Sequence, residues 1–301
     1  MPAADSKLIR LIPILFVFLW STGFIGAKYA LPYIEPFYLL FIRMVFTIAV
    51  FLLLCLIFKA KWPPLRLAGH QMVAGALIHG VYLGGIFAAI KLDMPAGIAA
   101  IIVGVQPVLT ALLSWQLMGE RLRAMQWTGL ALGLVGVIAV ILSTRQQANV
   151  EMTPLAIGFA IMALIAISIG TLYQKRFGGG VDLLTGSFWQ YVSTSVLMGL
   201  LAWGFETREV IWSTQLIMAL AWLVLGLSVS AILLLMYMIR EGEASKVASY
   251  FYLVPLVACV EAWLLFDEAL PPIAIGAILL TVLGVYLVVK KPTKIISETK
   301  P

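Results

Sequence analysis

Charged residues are scarce in this chain of 301 residues, in which 11% of the positions are charged and 62% are hydrophobic. A soluble globular protein has about 25% charged and about 45–50% apolar residues. No soluble fold of this length can enclose so much apolar surface, so we predict that lipid surrounds most of the chain. The length that is left provides no room for a separate soluble domain.

Cysteine and histidine are also rare, with two residues of each. Cys55 and Cys259 lie inside apolar stretches, which is typical of small packing residues. His70 and His79 do not have the spacing of a zinc-binding helix, and the chain has no G-x-S-x-G motif. A phosphate-binding glycine loop with Lys and Ser or Thr is missing as well. We therefore expect no enzyme, no metal, no cofactor and no ATP-driven transport.

Ten apolar stretches lie between turns rich in proline and glycine. Each is close to the roughly 20 residues that a helix needs to cross a bilayer. Helices satisfy their own backbone groups in lipid, and the chain does not alternate with the period of two of a β-barrel. The predicted spans are Leu11–Ala30, Pro36–Phe58, Gln71–Ile90, Ala96–Leu117, Met125–Ser143, Pro154–Gln174, Leu184–Trp203, Ser213–Ile239, Ser245–Phe266 and Pro272–Val289. The fold class is predicted to be an all-α integral membrane protein with ten transmembrane helices.

The basic residues are distributed unevenly over the predicted loops. Of the 20 Lys and Arg residues, 15 fall on one side, four on the other, and Arg43 lies inside a span. Cytoplasmic loops of inner-membrane proteins carry such an excess, so both termini are predicted to be cytoplasmic in a multi-pass protein of the inner (plasma) membrane. The same rule accounts for the net charge of +6. Because no basic stripe lies on a soluble face, we expect no nucleic-acid partner.

The two halves of the chain match at a constant offset of 148 positions. Pairs that match are Ala96 with Ala244, Pro107 with Pro255, Trp115 with Trp263, Glu120 with Glu268 and Gly136 with Gly284. We predict two repeats, residues 1–148 with spans 1 to 5 and residues 149–301 with spans 6 to 10. An odd number of spans inverts the second repeat, and inverted repeats are typical of carriers that work by alternating access.

An ordered set of short motifs accompanies these repeats. It consists of Trp20-Ser21-Thr22-Gly23-Phe24 followed by Lys28, Met94-Pro95-Ala96-Gly97-Ile98-Ala99-Ala100, Gln106-Pro107, Gly119-Glu120-Arg121-Leu122, Gln126-Trp127-Thr128-Gly129 and Gly133-Leu134-Val135-Gly136-Val137. The set resembles the EamA family of the drug/metabolite transporter superfamily. The resemblance implies ten helices around a central cavity, export of amino acids and related metabolites, and no ATP-binding subunit. The second half departs from the pattern at Ser245-Lys246-Val247-Ala248 and at Asp267-Glu268.

We therefore expect a secondary transporter that moves a small polar metabolite, an amino acid or related compound, outward across the inner membrane. The alternatives are an intramembrane scaffold and a channel, although a channel would need rings of like residues. The expected partners are a small-molecule substrate and membrane lipid, and the protein is expected to be a monomer or homodimer. Gly129, Gly133 and Gly136 share one face of the fifth span, which favours close helix packing within the chain over dimerisation.

Polar residues inside predicted spans are candidates for substrate binding because they are costly in lipid. Trp20, Ser21 and Thr22 lie near mid-depth, although Ser and Thr also bond to their own helix. Arg43 is a candidate clamp for a substrate carboxylate, since its planar fork matches a carboxylate. The alternatives for Arg43 are a cation that snorkels to the outer rim or a partner for Glu261.

Two residues are candidates for proton coupling. His79 is the only histidine predicted at mid-membrane, and it can relay a proton or serve as hydrogen-bonded packing. Tyr82 lies three positions later on the same helix face and is a further binding candidate. Glu261 in the ninth span must be paired, protonated or in contact with water.

Prolines at matched positions in spans 4 and 9 complete the predicted site. Pro107 and Pro255 should kink their helices and free carbonyl groups near the midplane. Their neighbours are further candidates for the cavity wall, together with three residues of spans 6 and 7. These residues are Gln106, Thr110, Tyr250, Tyr252, Tyr173, Trp189 and Gln190.

Overall fold

The computed structural model describes residues 5–118, 123–147, 152–234, 253–267 and 272–289. Within these ranges every regular element is a helix, and the only β-type pairing there is an isolated bridge between Ile34 and Val210. We number the helices α1 Asp5–Ala30, α2 Pro36–Ile57, α3 Leu65–Lys91, α4 Ala96–Gly104 with Gln106–Met118, α5 Ala124–Gln147, α6 Pro154–Phe177, α7 Leu183–Phe205, α8 Thr214–Leu234, α9 Val254–Phe266 and α10 Pro272–Val289.

Six of these helices are long and apolar enough to cross a membrane, namely α1, α2, α3, α4, α6 and α8. Shorter apolar helices lie within α5, α9 and α10. Helix α7 has 23 residues but carries a polar series that includes Thr185, Ser187, Gln190 and Thr194. The described helices thus agree with an integral membrane protein, while the count of ten spans stays a prediction.

Helix α2 shows how the exterior and interior differ in polarity. Phe46, Leu53 and Leu56 are exposed by 53%, 56% and 65%, whereas Arg43 and Thr47 are buried. A soluble protein would place the apolar side chains inside and the charge outside. The reversed pattern is stable only if hydrocarbon contacts the outer face of the helix.

The helices pack in pairs that the repeat relates to each other. The corresponding helices α2 and α7, α4 and α9, and α5 and α10 contact each other directly. Several further contacts between the halves occur in exchanged pairs: α1 with α8 and α6 with α3, α1 with α9 and α6 with α4, α3 with α7 and α8 with α2. This pattern is the one expected for a pseudo-two-fold axis between the two halves.

Small residues bring α5 and α10 into close contact. A Cβ atom added to Gly284 would lie 2.5 Å from the Gly133 nitrogen and 2.6 Å from the Gly129 carbonyl oxygen. A Cβ atom added to Gly136 would meet Thr281 in the same way. The glycine face predicted from the sequence therefore packs within the chain.

Three irregular segments interrupt the helices. Ala76–Val81 in α3 and Trp222–Ala231 in α8 are π-helical. The offset of 148 maps 76–81 onto 224–229, so the two π-helical segments occupy equivalent positions in the two halves. In α4 the helix breaks at Val105, where Pro107 lacks the N–H that would bond to the carbonyl of residue 103. Such irregular segments are frequent at functional sites.

Candidate functional site

A central cavity of about 60 Å³ lies between α1, α2, α3, α6, α7 and α8. Both π-helical segments reach it, through His79 in α3 and Ser228 in α8. Its wall is formed by Trp20, Gly23, Phe24, Arg43, Ile78, His79, Tyr82, Leu83, Ile86, Phe87, Ile167, Tyr191, Leu227, Ser228 and Ile232.

An adjoining cavity of about 40 Å³ shares Trp20, Phe24, Tyr82 and Ile167 with the central cavity. The break in α4 and the start of the described part of α9 form its other walls. These contribute Ala100, Val103, Gly104, Gln106, Pro107, Val254 and Pro255. The two cavities together place residues of both repeats around one space.

Both prolines of the repeat line the adjoining cavity, and Pro255 packs against the break in α4. A Cβ atom added to Gly104 would lie 2.5 Å from Pro255 Cγ, so glycine is what permits this approach. Gln106 extends from the break in α4 toward α6, where its Nε2 donates to Thr171 Oγ1 at 3.3 Å and to Thr110 Oγ1 at 3.5 Å. Pro107 is therefore at a break, as predicted. Pro255 lies in the first turn of the described part of α9, so the kink predicted there stays a prediction.

Arg43 is the fixed positive charge of the central cavity. Its side chain is 4% exposed, and its Nε and Nη2 donate to Ser228 Oγ at 3.1 and 3.0 Å. The Tyr191 hydroxyl donates to the Ser228 carbonyl oxygen at 3.3 Å, and the Tyr191 ring stacks on His79 with centroids 4.7 Å apart. Arg43 is thus held from α7 and α8. The alternative in which Arg43 pairs with Glu261 is wrong, because Glu261 bonds to α1.

His79 connects the cavity to a chain of amide side chains. A hydrogen bond of 3.1 Å joins its Nε2 to Gln190 Oε1, and Gln190 Nε2 donates to Gln71 Oε1 at 2.7 Å and to Gln174 Oε1 at 3.3 Å. Because the amide oxygen of Gln190 can only accept, His79 Nε2 is the donor in this hydrogen bond. This amide chain ties α3, α6 and α7 together at one end of the cavity.

Glu261 lies outside both cavity walls, on α9 against α1. Its Oε1 is 2.8 Å from Ser21 Oγ, which is also 2.8 Å from the Phe18 carbonyl oxygen. Its Oε2 is enclosed and has no hydrogen-bond partner among the described residues. A buried carboxyl group in which one oxygen lacks a hydrogen-bond partner is energetically costly and is therefore a functional candidate.

Several predicted site residues have other contacts. Ser21 faces Glu261, and Thr22 accepts a hydrogen bond from Trp222 Nε1 at 2.9 Å. Tyr173 bonds to His70 Nδ1 at 2.8 Å. Trp189 packs against Trp62 and Phe188, because it is two positions from Tyr191 and so points about 200° away from it around the helix.

Seven predicted residues do line a cavity: Trp20, Arg43, His79, Tyr82, Gln106, Pro107 and Pro255. Gln190 and Thr110 contact lining residues from behind, while Ser21, Thr22, Tyr173, Trp189 and Glu261 do not appear in the walls. Tyr250 and Tyr252 lie outside the described residues.

Tyr191 and Ser228 are lining residues that the sequence analysis missed. Tyr191 belongs to a face of α7 on which Ser187, Thr194 and Ser195 are also buried. These three residues lie four, three and four positions from Tyr191. That periodicity was the available signal. Ser228 could have been found as a polar residue inside an otherwise apolar span. In the part of the chain that the structure describes, no three His, Cys, Asp or Glu side chains form a possible metal site.

Comparisons with known proteins place this geometry in a family. The model of the EamA-like transporter family matches residues 8–142 and 154–290. The boundary predicted at 148/149 falls between the two matches and outside the described residues, so its exact position stays a prediction.

Curated relatives and a solved structure agree with this match. The "Uncharacterized transporter YvbV" of Bacillus subtilis is 30% identical over 280 residues, which is 90% of this chain and 88% of that protein. The "Uncharacterized inner membrane transporter YedA" of Escherichia coli is 30% identical over 239 residues, 77% of this chain and 76% of that protein. A "Probable amino-acid metabolite efflux pump" of Salmonella typhimurium is 26% identical over 292 residues, 92% of this chain and 93% of that protein.

One crystal structure covers 93% of this chain and 96% of its own, with a TM-score of 0.66 and 22% identity, which supports the fold alone. Helices, cavity and relatives together make the protein a membrane transporter with the drug/metabolite transporter fold. The resemblance stated from the sequence is confirmed, and this chain belongs to the EamA-like transporter family.

Proposed function

We propose that the protein is a secondary transporter that carries a small polar metabolite, an amino acid or related compound, out of the cell by alternating access. The observation that carries this proposal is the central cavity, in which Arg43, His79, Tyr191 and Ser228 come together from four helices of both halves. A charged group enclosed among apolar helices is energetically costly, so such a group is a candidate for ligand binding. The relatives in Salmonella typhimurium and Escherichia coli named for amino-acid metabolite efflux support the substrate class and the direction.

The exchanged helix contacts support alternating access. Several contacts of one half have an equivalent in the other half, for example α1 with α8 and α6 with α3. If the halves exchange conformations, the same cavity opens first to one side and then to the other. The substrate then crosses without a continuous pore.

The test is counterflow in liposomes that contain the purified protein and a concentrated metabolite extract. We expect labelled metabolites of the transported class to accumulate inside transiently and saturably, since the loaded carrier exchanges solute for solute. Arg66→Gln, which changes an exposed residue, serves as a matched control for cavity variants. Linear flux without saturation would favour the channel alternative, and no flux would favour the scaffold alternative.

We further propose that both termini are cytoplasmic in the inner membrane, with the sidedness given by the 15 to 4 distribution of basic residues. Reporter fusions to each end check this proposal. Reporters that are active only in the cytoplasm should work at both ends, whereas ends on opposite faces would contradict an even number of spans.

Glu261 is our first candidate for proton coupling. Ser21 Oγ lies 2.8 Å from both Glu261 Oε1 and the Phe18 carbonyl oxygen, but a hydroxyl group has a single proton to donate. A proton on Glu261 satisfies both contacts, because the carboxyl group then donates to Ser21 and Ser21 donates to Phe18. The lack of a hydrogen-bond partner for Oε2 also favours the protonated form, since a buried carboxylate needs partners for its negative charge.

Replacement of Glu261 tests this coupling. Glu261→Gln should abolish the dependence of flux on external pH, because an amide cannot bind and release the proton. Glu209→Gln, at an exposed position, should keep the wild-type pH profile. His79→Gln tests the second candidate in the same assay. If both Glu261→Gln and His79→Gln keep the wild-type profile, neither residue couples protons.

A further inference from the structure

We propose that the ligand of the central cavity is an amphipathic monoanion, whose carboxylate contacts Arg43 while its apolar body lies against the aromatic and aliphatic wall. This inference rests on the proposed function, because it names the substrate class of the same site. It separates a carboxylate with an apolar body, such as a deaminated or N-acylated amino acid, from the zwitterionic amino acid itself.

Arg43 has a donor that the protein leaves for a ligand. Its Nε and Nη2 both bond to Ser228 Oγ, and Nη1 makes no hydrogen bond within the described chain. Among the described residues, the enclosed side-chain nitrogen and oxygen atoms without a hydrogen-bond partner are Trp189 Nε1 and Glu261 Oε2. Arg43 Nη1 also has no partner but is not one of these enclosed atoms, so it has open space beside it. The space beside Arg43 is the central cavity. A carboxylate is the group that a guanidinium fork binds best.

The charges around the cavity support a single negative charge on the ligand. Among the described lining residues of both cavities, Arg43 is the only Lys or Arg, and no Asp or Glu occurs. Glu261 faces Ser21 outside both walls. A zwitterion would place its ammonium group in this cavity without a carboxylate to neutralise it, and an unpaired charge in such surroundings is unfavourable. A monoanion neutralises Arg43 and leaves no charge over.

The rest of the wall supports an apolar body. Around the polar group of Arg43, Ser228, Tyr191 and His79, the central cavity is lined mainly by Trp20, Phe24, Ile78, Leu83, Ile86, Phe87, Leu227 and Ile232. Ligand cavities that combine a few polar contacts with many apolar ones cover most of a small ligand's surface.

A ligand series with one carbon skeleton tests the proposal on the wild-type protein. The probes are 3-phenylpropanoate, which is a monoanion, 3-phenylpropanamide, which is neutral, phenylalanine, which is a zwitterion, and 2-phenylethylamine, which is a cation. Each is added to the detergent-purified protein, and the change in Tm is measured across a concentration series. We expect 3-phenylpropanoate to bind at least about tenfold more tightly than the other three, since one hydrogen bond to a charged group accounts for about that factor.

Variants connect this preference to Arg43. Arg43→Gln should weaken the binding of 3-phenylpropanoate about 10- to 100-fold and leave 3-phenylpropanamide unchanged. Arg43→Lys keeps the charge but loses the planar fork, so its affinity should lie between those of the wild type and Arg43→Gln. Arg66→Gln, the exposed control, should bind like the wild type.

The outcomes separate this inference from the proposed function. If 3-phenylpropanoate binds no more tightly than the amide, or phenylalanine binds more tightly than 3-phenylpropanoate, the monoanion proposal is overturned. Counterflow of a metabolite extract would still support transport in that case. If Arg43→Gln does not fold, the ligand series on the wild-type protein decides alone.

Discussion

Glu206 shows how single side chains connect the two halves beyond the ends of the spanning helices. Its carboxylate accepts hydrogen bonds from the backbone N–H groups of Phe37 and Tyr38 at 2.8 and 2.7 Å, in the first turn of α2. In return, Glu35 Oε2 accepts from Thr207 Oγ1 at 2.9 Å and from the Arg208 nitrogen at 3.0 Å. The positive end of a helix favours such carboxylates. Two glutamates thus join α2 to α7, its equivalent in the second repeat.

Glu206 should make stability depend on pH. Burial raises the pKa of Glu206 above its ordinary value of 4.5, although the N–H groups of Phe37 and Tyr38 oppose this. The folded protein then holds the proton more tightly than the unfolded chain does, so Glu206 contributes less stability as pH rises through 4.5 to the higher folded pKa. We therefore expect the Tm of the wild type to fall relative to the Tm of Glu206→Gln as the pH rises from about 4 to about 7. Thermal unfolding of both proteins across this pH range measures the difference.

The exposed Glu209→Gln variant is the control for this experiment, and its Tm should remain parallel to that of the wild type across the same pH range. Parallel curves for Glu206→Gln as well would show that the proton affinity of Glu206 does not change on folding.

Gln190 is predicted to stabilise the fold through the amide chain. Gln190→Leu removes the partners of His79 Nε2 and Gln71 Oε1 and leaves both groups enclosed. Each unsatisfied buried group costs about 1–3 kcal/mol, so the variant should unfold at a clearly lower temperature. Gln116→Leu, at an exposed position, should unfold like the wild type. Equal Tm values for the two variants would mean that the amide chain contributes no stability.

The sequence predicted those site residues whose chemistry is unusual inside a membrane. Arg43, His79 and Gln106 stand out because a charge, an imidazole and an amide are rare there, and all three line a cavity. Tyr191 was missed and Trp189 was wrongly placed in the wall, because both are aromatic and only the rotation of α7 distinguishes them. That rotation is set by packing against α2 and α3, which the local sequence does not encode.

The contact between α5 and α10 depends on residues without a side chain. Gly284→Val would place new atoms against the backbone of Gly133 and Gly129, where no side chain can move aside. Such overpacking costs about 1–3 kcal/mol, so the Tm in detergent should fall. Gly276→Val in the same helix is a matched control, since nothing lies within 4 Å of its added Cβ atom. A Tm of Gly284→Val as high as that of Gly276→Val would contradict this packing.

Helix limits followed the sequence where proline or a turn marks them. Helix α10 runs over Pro272–Val289 as predicted, and α2 ends one residue before the predicted Phe58. Helix α3 begins at Leu65, six residues before the predicted Gln71, because it starts directly after Pro64 with an amphipathic turn that is not apolar enough to count as a span. The π-helical segments were not predicted, since Ala76–Val81 has an ordinary helical composition.

For the protein as a whole, the sequence repeat predicted two related halves, and the exchanged helix contacts agree with that prediction. The repeat did not predict that the two halves carry different side chains at equivalent positions around the cavity. The offset of 148 relates Gln71, Gln174 and Gln190 to Ala219, Gly26 and Ile42. One end of the cavity is therefore tied by hydrogen bonds, while the equivalent end is held by contacts such as that between Gly26 and Leu223.

The most direct test of alternating access is to label a cysteine in the wall of the central cavity from each side of the membrane. Leu83→Cys lines this cavity without a role in its hydrogen bonds, and the buried Cys55 and Cys259 are first replaced by Ala. Arg66→Cys and Glu209→Cys report the two faces, and each should react from one side only. We predict that Leu83→Cys reacts with a membrane-impermeant thiol reagent in right-side-out and in inside-out vesicles, more slowly when transported substrate is present. Labelling from one side only would contradict alternating access to this cavity.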